Sequence, residues 1–157
     1  MNKHIVRKWD KNKKLLKNHF TEDYKFYRSW ECEYKNIVEA VVKYIINDED
    51  DNYDYEEMTV IDDGHYQGSQ LFIFPRKTYQ PSPSDYLVTY EYYGSCSGCD
   101  TLQALQMESG EELISGLMEM SLHLIQNMKF IYGRKSNVRY NWHASYCTHY
   151  RRPRRIL

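Results

Sequence analysis

At 157 residues, with 41% hydrophobic and 15% aromatic side chains, the chain can bury a real core, and an intrinsically disordered protein is excluded. No apolar run approaches the roughly 18 residues needed to cross a bilayer, so no membrane association is expected. The net charge is only −1, but the charges are segregated.

Lys3, Arg7, Lys8, Lys11, Lys13, Lys14 and Lys17 make the N-terminal segment basic. Ile5 and Val6 stand alone among them, where a secretory signal would need an apolar stretch. A cytoplasmic location is therefore expected, with Cys32, Cys96, Cys99 and Cys147 as thiols or metal ligands rather than a disulfide framework. Residues 1–30 read as a basic arm or surface helix, with Leu15, Leu16 and Phe20 as a thin apolar stripe.

Ile37, Val38, Val41, Tyr44 and Ile45 recur at helical spacing, which predicts an amphipathic helix over 31–46. The acidic stretch of Asp48, Glu49, Asp50, Asp51, Asp54, Glu56 and Glu57 ends it. Met58 to Ile61 reads as a short strand closed by the turn Asp62-Asp63-Gly64. Leu71 to Phe74 is a buried strand stopped by Pro75, and the following Pro81-Ser82-Pro83-Ser84 belongs to a loop. Tyr86 to Tyr93 is a third strand, with Leu87, Thr89 and Glu91 on one face and Tyr86, Val88, Tyr90 and Tyr92 on the other.

Asp100 can cap a helix from Thr101, Ser109-Gly110 interrupts it, and a longer helix is predicted from Glu111 to about Tyr132, ended by Gly133. The predicted fold is α+β: a three-stranded antiparallel meander covered by an N-terminal helix and a C-terminal helical pair. Residues 31–133 make the core domain, and 134–157 a basic, aromatic tail that carries Arg151, Arg152, Arg154 and Arg155. The basic termini could meet nucleic acid, although charge blocks of this kind are usually solvated faces.

The turn Gly94-Ser95-Cys96-Ser97-Gly98-Cys99-Asp100 carries the most special chemistry. Cys96-x-x-Cys99 has the spacing of one zinc knuckle, and His143 with Cys147 could complete a structural zinc site. A dithiol able to oxidise is a second reading, and an anion cradle of backbone amides a third. The plainest is a small-residue corner whose cysteines fill space. No catalytic residues are assigned: His65 follows a glycine turn, His123 lies mid-helix, and no triad or carboxylate pair stands out. No cofactor beyond that zinc is expected. Sixteen tyrosines suit half-buried sheet faces, and suit binding surfaces too.

From Val60 to Met128 the chain resembles a family of small uncharacterised bacteriophage proteins. The motifs are Asp63-Gly64-His65-Tyr66-Gln67-Gly68, Leu71-Phe72-Ile73-Phe74-Pro75, Thr78-Tyr79-Gln80-Pro81-Ser82, Tyr93-Gly94-Ser95-Cys96-Ser97-Gly98-Cys99-Asp100-Thr101-Leu102-Gln103 and Leu122-His123-Leu124-Ile125-Gln126-Asn127-Met128. The resemblance implies work in an infected bacterial cell by binding a host protein, such as a defence or nucleic-acid-handling complex. Asp48 to Glu57 could then mimic nucleic acid, with Tyr53 and Tyr55 as anchors.

Overall fold

The computed structural model describes residues 3–131. Helix α1 (Lys3–Glu22) contains neither glycine nor proline; Lys3, Lys11, Lys13, Lys14 and Lys17 are exposed, and Lys8 alone of its lysines is buried. Its other side is not a thin stripe: Ile5, Leu16 and Phe20 join the main core, whereas Leu15 is exposed. A single turn, α2 (Tyr24–Tyr27), follows.

Helix α3 (Tyr34–Val41) starts at a capping box, in which the Glu33 side chain takes the amide of Asn36 and Asn36 Oδ1 accepts the Glu33 amide at 2.9 Å. The helix expected to run to 46 changes pitch at Val42. Residues Val42–Ile46 form a π-helical turn, closed by Asn47 N–H donating to the Val42 carbonyl at 2.9 Å. The wider turn keeps Val42, Ile45 and Ile46 all buried against α1 and α3.

The sheet has four antiparallel strands in the order β1 (Thr59–Asp62), β2 (Gly68–Pro75), β3 (Tyr86–Tyr93) and β4 (Lys129–Ile131). The expected three-strand meander is present, and β4 adds to its edge, pairing Lys129 with Val88 and Ile131 with Tyr86. The last long helix correspondingly stops earlier than its apolar spacing suggests. It is α5 (Gly110–Asn127), and Met128 already has extended backbone. Before it, α4 (Thr101–Gln106) is capped by Asp100.

Register fixes two unlike sheet faces. Phe72, Phe74, Leu87, Thr89 and Phe130 face the helices, and the Thr89 hydroxyl donates to the Leu124 carbonyl of α5 at 2.9 Å. Ile61, Leu71 and Tyr90 form one cross-strand row of the opposite face; Thr59, Ile73, Val88 and Lys129 form the next. No helix among the described residues covers that outer face. No described helix is long and apolar enough to cross a membrane.

Candidate functional site

The corner between β3 and α4 is built around Asp100, which is only 4% exposed. One carboxylate oxygen accepts the Gly94 amide and the other the Gln103 amide, each at 2.8 Å, so the end of the strand and the start of the helix hang from one side chain. That occupied carboxylate closes the helix end to any anion. Position 94 must be glycine, because a Cβ there would run into the Cys99 carbonyl and thiol. Behind the corner, the Leu102 amide donates to the Tyr34 hydroxyl, and Gln106 Nε2 donates to the carbonyls of Ser29 and Cys32, both at 2.9 Å.

Both thiols of the turn are exposed, and their sulfur atoms lie 3.3 Å apart. The Cys96 carbonyl accepts the amides of Cys99 and Asp100, which folds the turn tightly enough to bring the side chains together. Cys99 Sγ receives the Ser95 amide at 3.2 Å and faces the Ser95 hydroxyl at 3.6 Å. The Ser95 hydroxyl, then the Cys96 thiol, hold the Cys99 thiol below its ordinary pKa. Cys32 is the opposite case: it is buried, and burial pushes its thiol up to about 12. Ser97 and Gly98 complete the loop without touching the cysteine sulfurs through hydrogen bonds.

Two of the four residues suggested for zinc are therefore neighbours. The other two, His143 and Cys147, lie outside the described residues. Among the described residues no group of three or more His, Cys, Asp or Glu side chains is arranged to hold a metal.

The acidic stretch divides into two populations. Asp51 is buried and bonded to Lys8 at 3.1 Å, His4 at 3.1 Å and Arg76 at 2.9 Å. Burial pushes its carboxyl up, but His4, Lys8 and Arg76 together outweigh that and hold it below the usual carboxylate range. Asp48 meets the Lys8 ammonium and also takes the amides of Asp50 and Asp51 at 2.9 Å. Tyr53, expected as an exposed anchor, is 2% exposed: its amide and carbonyl are held by Asn47, and the Arg76 guanidinium lies over its ring. Tyr55 is half-buried between Lys43 and Lys77, and Asp54 faces Lys77 at 3.9 Å. Asp51 and Tyr53 thus belong to the interior, because burying the acid between the Lys8 and Arg76 cations closes the loop onto α1 and the end of β2. Glu49, Asp50, Glu56 and Glu57 remain exposed, and their carboxylates pair with no cation among the described residues.

A surface that strand periodicity alone left unassigned lies next to them. On the outer sheet face Ile61 is 52% exposed, Tyr90 45% and Tyr92 51%. The edge strand β1 that carries Ile61 has Glu56 and Glu57 just before it and Asp62 and Asp63 at its far end. The alternation in Tyr86–Tyr93 signalled the exposed tyrosines. It could not show that no helix would pack over them. On the inner side, a cleft between β3, α4 and α5 holds Glu91 and His123; burial pushes the Glu91 carboxyl up, and the Tyr92 amide, then His123, oppose this.

Comparison with protein families, with curated proteins and with solved structures finds no match for the chain. What it does is therefore argued from its own geometry.

Proposed function

We propose that the chain is a non-enzymatic, phage-type binding protein that docks on the basic, nucleic-acid-handling surface of a host complex, such as a defence complex, and blocks it. The observation that carries this reading is the outer sheet face. Ile61, Tyr90 and Tyr92 offer exposed apolar and tyrosine surface beside the half-buried Leu71 and Ile73, and acids flank both ends of the edge strand β1. Tyrosine rings supply contact area at small entropic cost, which suits the centre of an interface. The carboxylates of Glu49, Asp50, Glu56 and Glu57 pair with no cation among the described residues, and charge complementarity selects a basic occupant. A surface that binds nucleic acid has that chemistry.

Retention of bacterial proteins on the immobilised full chain at about 0.15 M salt tests the reading. A nucleic-acid-binding protein should be retained by the native chain, and lost both from Tyr90→Ala/Tyr92→Ala and from Glu49→Gln/Asp50→Asn/Glu56→Gln/Glu57→Gln. Equal retention by all three chains would overturn the reading.

A further inference from the structure

We infer that Cys96 and Cys99 form a thiol–disulfide exchange site, which takes a disulfide from a small-molecule or protein donor and closes it within the turn. The inference is independent of the partner-binding surface, since neither thiol lies on the outer sheet face.

Three observations carry it. The sulfur atoms are 3.3 Å apart, so modest side-chain rotation reaches the roughly 2.05 Å of a disulfide without moving the strand or helix. Both thiols are exposed, whereas exchange requires in-line access by a second sulfur. The two are also unequal. Ser95 supplies an amide and a hydroxyl to Cys99 alone, stabilising its thiolate and making it the attacking sulfur. Asp100 holds Gly94 and Gln103 through its own carboxylate, so the frame of the turn does not depend on the oxidation state of the thiols.

The chemistry balances in two steps. The Cys99 thiolate attacks one sulfur of a donor RS–SR, an S–S bond forms between Cys99 Sγ and that sulfur, and the donor S–S bond breaks to release the other RS group as a thiolate that takes up a proton. Cys96 then loses its proton, attacks Cys99 Sγ and displaces the second RS group as a thiol. Two protein thiols are oxidised to one disulfide, and one donor disulfide is reduced to two thiols.

The test is the reduced full chain incubated without oxygen with oxidised glutathione at pH 7, quenched in acid, alkylated, and mapped by intact mass and peptide analysis. The native chain should lose two hydrogens, give a Cys96–Cys99 linked peptide and show only a transient glutathione adduct. Cys96→Ser should stop at one stable adduct on Cys99. Cys99→Ser should form no linkage and react more slowly. Ser95→Ala should slow the first step by roughly twofold to tenfold, the effect of losing one hydrogen bond to the thiolate. A lasting adduct on Cys99 in the native chain, a bond from either thiol to Cys147 instead, or one zinc per chain shielding both thiols would each overturn the inference.

Discussion

His19 lies on α1 among three rings, its centroid 4.6 Å from that of Tyr44, 5.5 Å from Tyr27 and 6.0 Å from Phe20. Its Nε2 is 2.8 Å from the Tyr27 hydroxyl. Burial lowers its pKa from the ordinary 6.5, and the Asp23 carboxylate only partly offsets this; Lys43 adds to the lowering and Glu22 opposes it. A base with a lowered folded pKa binds its proton more readily in the unfolded chain. Its stabilising share is therefore complete above about 6.5 and is lost as pH falls from there toward the folded value. Urea midpoints measured from pH 7.5 down to 5.5 should fall with pH, and the fall should be shallower in His19→Gln. At the cysteine corner, Gly94→Ala forces a Cβ against the Cys99 backbone and should cost about 2 kcal/mol in chemical denaturation, the range of an overpacked site.

At the scale of elements, one lysine decides how the N-terminal helix is held. Lys8 is 5% exposed; it donates to the Ile46 carbonyl at 2.6 Å, at the end of the π-helical turn, and meets Asp48 and Asp51. Arg76 ties the same aspartate to the end of β2, so α1, the π turn and the sheet share one charged node. Lys8→Met should destabilise the fold by about 3 kcal/mol, since it leaves the buried Asp51 carboxylate short of a cation while its His4 and Arg76 contacts persist. Thermal melts with and without the substitution check this. The node escaped the sequence because Lys8 lies 38 to 43 positions from its partners, and nothing local distinguishes it from the exposed lysines beside it. By contrast β2, β3 and the break at Ser109 were legible, since each rests on local alternation, proline stops or small polar residues. Strand β4 was not. Lys129-Phe130-Ile131 continues the apolar spacing of α5, and only pairing with Tyr86–Val88 makes it a strand.

Across the described residues, helices cover one face of the sheet, and the other carries Ile61, Leu71, Ile73, Tyr90 and Tyr92. The acidic stretch was visible as a charge block, but its division into an inward half around Asp51 and Tyr53 and an outward half around Glu56 and Glu57 needed the fold. That division ties the predicted binding to particular carboxylates. The most direct measurement is a gel-shift competition, in which the retained host protein is first bound to duplex DNA and the chain is then titrated in. Docking on the nucleic-acid surface predicts that the native chain releases the DNA, that rising salt weakens the release, and that Tyr90→Ala/Tyr92→Ala does not release it. A ternary complex of host protein, DNA and chain would contradict the account.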